Sequence, residues 1–252
     1  SAPSTLVVGL AISFLPYGGA ILSAGSAFEK PTLDRLAIGL ALLFGGGLLF
    51  APPILSDDLY RYVWEGRLWL EGLNPYRLAP DDPSLQPLRD AVWENVNNKP
   101  LATIYPPLSQ ALFVAAALLG GTVGAVKLLA LLAHLLCVAV LGRVSNRKDA
   151  ALAIAINPLL LSEGPLNGHF DLLTGLSLLL VAWALARQRF VQAGLAALAA
   201  VGLKLIGLLA LPFFARRPRL LLGAGLGSAL LVLPLVAWRT PSDPSGSPSS
   251  DS

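Results

Sequence analysis

The residues best suited to chemistry sit in one stretch, SDDLYRYVWEGRLWLEGLNPYRLAPDD, residues 56–82. It opens on paired acids, Asp57 and Asp58, directly after an apolar run, Leu36–Leu55. A carboxylate at the exit of a hydrophobic segment stands in a partly dry layer. There it can serve as a general base if a nucleophilic hydroxyl comes within hydrogen-bond reach. A helix beginning at Leu59 puts Asp58, Tyr62 and Glu65 roughly on one face, and Arg61 with Glu65, a face able to orient a sugar. Ser56 or Asp57 capping that helix is the structural alternative. A DD pair also suits a divalent cation through oxygen ligands, so a metal is possible, though no cofactor is firmly implied.

Two further places carry polar groups where they are expensive. NPLLLSEGPLNGHFD (157–171) interrupts an apolar pattern with Pro158, Gly164, Pro165 and Gly168 and reads as a loop between short helices. Its Glu163, Asn167, His169 and Asp171 fall near membrane depth and are site candidates, with capping or structural hydrogen bonding as the alternative for His169 and Asp171. His169 and Asp171 are too few and too close for a zinc site. Lys204, in AAVGLKLIGLL, has no acid within thirty residues. It must find an anion or water: it either snorkels to the inner face or meets a lipid phosphate as a point charge. Lys127 and His134 share an apolar helix, where Lys127 is expected to snorkel outward and His134 to be a satisfied core histidine. Cys137 reads as core filling.

The elements that position these groups are helices in lipid. Hydrophobic residues make up 55% of the chain and charged ones 13%, about half the usual charged share of a soluble domain. Mean hydropathy is +0.67. Longer apolar segments fall at Thr5–Ala24, Leu36–Leu55, Val123–Gly142, Phe170–Ala186 and Leu220–Trp238. Leu108–Gly120, Ala150–Leu161, Phe190–Leu203 and Leu205–Ala215 are too short to cross a hydrocarbon core alone and read as juxtamembrane, half or tilted helices. The expected fold is all-α, a polytopic helical membrane protein over residues 1–239 with a long outer loop, 56–107, that contains juxtamembrane helices. The Ser-, Pro- and Asp-rich tail 240–252 is expected to be disordered.

Lys and Arg set the orientation. Clusters at Arg143/Arg147/Lys148, Arg187/Arg189 and Arg216/Arg217/Arg219 are placed inside; the loop from Ser56 to Pro107, with eight of the fifteen acidic residues, is placed outside. Leu108–Gly120 must then begin and end outside, and 190–215 must form a bent inner-side hairpin with Lys204 near its tip. The basic residues form no stripe, so no nucleic-acid partner is expected. GxSxG, HExxH, GxxxxGK[ST] and CxxC are absent, which disfavours ATP-driven transport, thiol redox work and zinc proteolysis. The chain lacks Met, begins SAPSTL and shows no cleavable signal peptide, so it is not expected to be an intact translation product.

The loop motif SDDLYRYVWEGRLWLEGLNPYRLAPDDP resembles the first outer loop of polyprenol-phosphate-mannose-dependent mannosyltransferases, bacterial integral-membrane glycosyltransferases of the GT-C class. TIYPPLSQ (103–110), NPLLLSEGPLNGHFD and the Lys204 segment follow in the family's order, and the likeness covers roughly 36–219. The resemblance implies a multi-pass, GT-C-like protein of the bacterial plasma membrane with its active site facing outward. It implies a donor of sugar, mannose in the first instance, on a polyprenyl phosphate, and a glycan or glycolipid acceptor. The family's loop acid falls on Asp58, as base for an inverting attack. Arg61, His169 and Lys204 would serve the departing phosphate, and Tyr105 and the loop aromatics the sugar faces. Such enzymes have more spanning helices than are found here, so a truncated member is expected. A transporter or flippase of lipid-linked glycans, an inactive fragment and an assembly subunit are the alternatives; a transporter would tend to show repeated halves, and none is visible.

Overall fold

The computed structural model describes residues 2–210. The expected span Leu220–Trp238, the basic cluster Arg216/Arg217/Arg219 and the tail 240–252 lie outside the described residues. Ten α-helices are described: α1 (Ala2–Ala27), α2 (Lys30–Leu48), α3 (Asp58–Leu70), α4 (Ala91–Glu94), α5 (Pro107–Leu118), α6 (Val123–Val144), α7 (Ala150–Ala155), α8 (Pro158–Leu161), α9 (Asp171–Ala186) and α10 (Phe190–Leu203). Tight turns of helix fill Pro83–Leu88, Ser162–Leu166 and Leu205–Ala210, and no strand occurs among the described residues. Three of the described helices, over Val8–Ala27, Lys30–Leu48 and Val123–Val144, are long and apolar enough to cross a membrane. The protein is an all-helical membrane protein.

α2 and α6 form the antiparallel spine, and lysines tie both ends. Lys30 Nζ bonds the Gly142 carbonyl at 2.5 Å and pairs with Asp34 one turn on, at 3.2 Å. At the other end Lys127, 1% exposed, donates to the carbonyls of Leu48 (2.7 Å), Leu49 (3.2 Å) and Ala51 (2.5 Å). The expectation that Lys127 snorkels outward is therefore wrong. Pro52 and Pro53 stop α2, its last carbonyls lose their intrahelical partners, and an ammonium with three donors satisfies them. α2 also starts and ends earlier than the apolar run suggests: Glu29 holds the N-cap position without a capping side-chain bond, Pro31 sits in the first turn, and the chain leaves the helix ahead of Pro52 and Pro53. Small residues on its inner stripe, Ala37 and Ala41, let α6 and α7 close in. His134 sits in this core with Nε2 at 3.2 Å from the Ala155 carbonyl, a structural histidine.

The segment Ala150–Leu161 is broken, as its polar punctuation predicts. Asn157 ends one helix and caps the next, accepting from the amides of Leu159 (3.0 Å) and Leu160 (3.2 Å), with Pro158 in the first turn. α9 and α10 then form an antiparallel pair sealed by Val181, Ala184, Ala193 and Ala197.

The long loop has its own small core, Trp64, Leu68, Leu85 and Val96. Trp64 is 1% exposed and so belongs to no interfacial belt. α5 packs closely against α3, with Gly66 facing the Phe113 backbone. Gln110 meets Trp69 at 2.8 Å, Phe113 stacks on Tyr62, and Gly121, just past its end, accepts from Arg67 at 2.6 Å.

Candidate functional site

The site grows from the first turn of α3. Ser56 Oγ accepts from the Asp58 amide at 3.2 Å and starts the helix, whereas the Asp57 side chain makes no capping bond. One turn on, Tyr62 is 5% exposed and stacks on Phe113, with ring centroids 4.4 Å apart and planes at 11°. Tyr105 packs edge-on against both rings, at 5.1 Å and 5.4 Å. Its extended backbone is held by Tyr76, whose hydroxyl donates to the Tyr105 carbonyl at 2.7 Å. The Asp58 carboxylate bears on both phenols. Burial first, then neighbouring charge that includes Asp58, pushes the Tyr62 and Tyr105 hydroxyls above the ordinary tyrosine range. Both stay neutral, able to donate.

The 157–171 segment delivers the other wall. Gly168 takes φ +77°, and a Cβ there would sit 3.0 Å from Val126 and 3.2 Å from Leu59. Only glycine allows the loop to close on α3 and α6. Closure brings His169 Nδ1 to 3.2 Å from the Tyr62 hydroxyl, while Nε2 faces Glu163 at 3.8 Å. Asp171 opens α9, and Lys204 follows α10, so the antiparallel α9–α10 pair joins them in an ion pair, each side chain half exposed. Tyr62, Tyr105, Ser109, Phe113, Asp171 and Lys204 line one cleft, with Phe170, Thr174 and Leu203 behind them. The cleft encloses about 30 Å³, room for one or two waters.

One comparison with known proteins matches. A family model described as alpha-(1->6)-mannopyranosyltransferase, N-terminal domain (the MptA_B family), covers residues 5–217. The chain belongs to the MptA_B family. No curated protein and no solved structure matches it. Mannose transfer is the chemistry of the MptA_B family, so a sugar donor and an acceptor are its partners, and the chain is a glycosyltransferase-family domain.

In this MptA_B-family chain the sequence-expected residues divide. Tyr62, Tyr105, Asp171 and Lys204 share the cleft, and Asp58 and His169 border it through the tyrosines. Arg61 does not reach it. Expected to meet phosphate, it is 4% exposed, bonded to Glu65 at 2.7 Å and to the carbonyls of Asn97, Asn98 and Leu101. Glu65, expected to bind substrate, is 1% exposed, and its other oxygen accepts from Thr103 (2.7 Å) and Gln110 (2.6 Å). Burial pushes its carboxyl up, while Arg61 and the two donors oppose the shift. With four partners on Arg61 and three on Glu65, neither side chain has anything to offer a sugar. Asn167 is likewise structural. Fully buried, it accepts from the amides of Ile54 and Leu55 and donates to Ser162. Glu163 stands beside His169, with Oε2 at 3.8 Å from Nε2, and Asp57 is exposed beside Asp58.

Sequence reasoning gave Lys204 no acid, because Asp171 is 33 positions away and only helix pairing unites them. It also passed over Asn97, which donates to Asp57 (2.8 Å) and to Asp58 (2.5 Å). Ser109 and Gln110 stood inside the TIYPPLSQ motif without an assigned role. Among the described residues no three His, Cys, Asp or Glu side chains converge as metal ligands. The Asp57–Asp58 carboxylates both accept from the Asn97 side-chain amide.

Proposed function

We propose that this protein transfers mannose from a polyprenyl-phosphate donor to a glycan or glycolipid hydroxyl, with inversion, on the outer face of a bacterial plasma membrane. The observation that carries the reading is the convergence of a partly exposed carboxylate, Asp58, two neutral phenols, a histidine and the Lys204 ammonium around one cleft. They come from the long loop, from the broken 157–171 segment and from the end of α10. The outward orientation is supported by the acidic loop and by the basic cluster Arg143/Arg147/Lys148 at the opposite end of the α2–α6 spine. Residues 1–239 are read as one membrane-embedded, GT-C-like domain.

In this mechanism Asp58 accepts the proton of the acceptor hydroxyl as its oxygen attacks the anomeric carbon. The bond from that carbon to the phosphate oxygen breaks, and the electron pair leaves with the polyprenyl phosphate. Lys204 faces that oxygen, and His169 and the Tyr62 hydroxyl stand beside it. Stabilising the charge on the leaving phosphate is then the larger electrostatic contribution. Lys204 must exchange Asp171 for the donor phosphate, and parting of this half-exposed pair opens space that now holds only water-sized molecules. The partly exposed Tyr105 ring offers an apolar face to the sugar, while Tyr62, stacked on Phe113, holds that ring in place.

The test uses the full chain in lipid vesicles with radiolabelled polyprenyl-phosphate mannose and a glycolipid acceptor. Wild type transfers label; Asp58→Asn loses transfer but keeps donor binding; Lys204→Ala weakens donor binding. Normal transfer by Asp58→Asn refutes the base, and undiminished donor binding by Lys204→Ala removes the phosphate site.

A further inference from the structure

We infer that Asn97 is a positioning residue that holds the Asp58 carboxylate for proton abstraction, and that the buried Arg61–Glu65 pair exists to hold Asn97. The inference rests on Asp58 being the base. A primary amide has two N–H groups. Here Nδ2 sends one to Asp57 Oδ1 at 2.8 Å and the other to Asp58 Oδ1 at 2.5 Å. Two adjacent carboxylates, which repel each other, are thereby tied to one donor. One oxygen of Asp58 is fixed, leaving the other for an incoming hydroxyl and the Tyr105 phenol.

Asn97 lies on the far side of the loop from α3, 39 residues from Asp58, and its backbone is not left to wander. Arg61, one turn beyond the acids, donates to the carbonyls of Asn97 (3.4 Å), Asn98 (3.2 Å) and Leu101 (2.6 Å). Asn98 itself takes the left-handed conformation, φ +47°, and its carbonyl accepts from the Leu101 amide at 3.0 Å to close a tight turn. Glu65 anchors the guanidinium from behind, and Thr103 and Gln110 anchor Glu65. A continuous set of hydrogen bonds thus runs from a buried carboxylate through Arg61 and the 97–101 turn to the Asp58 oxygen. Nothing about folding the loop alone requires the Asn97 amide to point at the acids.

Two variants test this beside Asp58→Asn, all assayed as full chains in vesicles with radiolabelled polyprenyl-phosphate mannose. Asn97→Ala removes the donor, and Asn97→Asp keeps the shape while replacing the donor with an acceptor. Both are expected to lower kcat by about 10- to 100-fold, the scale of a misplaced catalytic group, with KM for the donor lipid within about twofold. Asn97→Asp should be the worse of the two, because a third carboxylate repels the pair. A side chain that merely fills space gives the opposite order, with Asn97→Asp near wild type, and that result overturns the proposal. So does a raised KM with unchanged kcat, which marks a substrate contact. Loss of the fold in either variant, read by thermal unfolding, overturns it too, since a side chain bonded only to these two acids does not hold the fold. If Asp58→Asn remains active, the base assignment itself fails; if Asp58→Asn is inactive and both Asn97 variants are normal, only the Asn97 inference fails.

Discussion

Gly66→Ala makes the sharpest demand on the α3–α5 contact that frames the cleft. A Cβ at Gly66 would lie 2.2 Å from the Phe113 carbonyl oxygen and 2.6 Å from its carbon. Ordinary contact begins near 3.4 Å, so α5 must retreat by about 3.4 − 2.2 = 1.2 Å. The obstacle is backbone, which has no rotamer to escape into. Overpacking of this kind costs about 1–3 kcal/mol, and the helix preference of Ala over Gly returns at most about 1 kcal/mol. With the full helix-preference return the net loss is about 0–2 kcal/mol. The larger effect is functional, because Phe113 carries the stacked Tyr62 ring at 4.4 Å and Tyr105 rests on both. A shift near 1 Å in a positioned group lowers rate by up to about 100-fold. Initial rates of mannose transfer and thermal inactivation in the same membranes read both effects. Gly39→Ala, on α2 with nothing within 4 Å, is the matched control and should be neutral or slightly stabilising. Wild-type rate and stability in Gly66→Ala would show that α3 and α5 are not locked together, and the account of how Tyr62 is held would fall.

Three further outcomes follow from particular contacts. Arg61→Met leaves Glu65 buried and unpaired and should cost about 3–5 kcal/mol, with partial recovery in Arg61→Met/Glu65→Gln; a donor KM that rises in the recovered double variant would restore Arg61 to the phosphate site. Lys127→Met strands the carbonyls of Leu48, Leu49 and Ala51 and should lower the thermal inactivation midpoint by an amount corresponding to about 1–3 kcal/mol, whereas an unchanged midpoint would remove the lysine cap from the account of α2. At Asp90 burial alone would raise the carboxyl, but the Trp93 amide, Arg67 and the Val92 amide hold it below its usual 3.8. A lowered folded value means that this group's contribution is complete above pH 3.8 and is lost as pH falls through the still lower folded value. Protease nicking of the loop around Asp90 should therefore rise only below that point, and Asp90→Asn should nick readily at neutral pH; equal protection of both proteins at pH 7 would dismiss the Arg67–Asp90 tie.

The helical membrane class, the broken 157–171 segment, the loop helix at Asp58 and the Arg61–Glu65 spacing were legible because each depends on neighbours in sequence. Hydropathy is local, Pro158 with Asn157 punctuates locally, and i,i+4 partners follow from helix geometry. Which way a polar side chain faces is not local. Arg61 and Glu65 looked like site residues because charged groups near a membrane are expensive, and the inference from expense to function overlooked a buried pair satisfying itself. Lys127 misled for the same reason, since its partners are carbonyls 76 or more positions away. Asn97 left no trace, because an asparagine in a polar loop carries no pattern.

The order of residues by itself determined that this chain makes apolar helices with an acidic, aromatic loop between them, since hydrophobic length and turn chemistry are properties of short windows. Only tertiary structure decided which charges are spent on each other and which face the cleft. Antiparallel pairing of α9 with α10 set Lys204 against Asp171, and the 97–101 turn set one amide between two acids, because burial forces polar groups to find whichever partners the packing brings near.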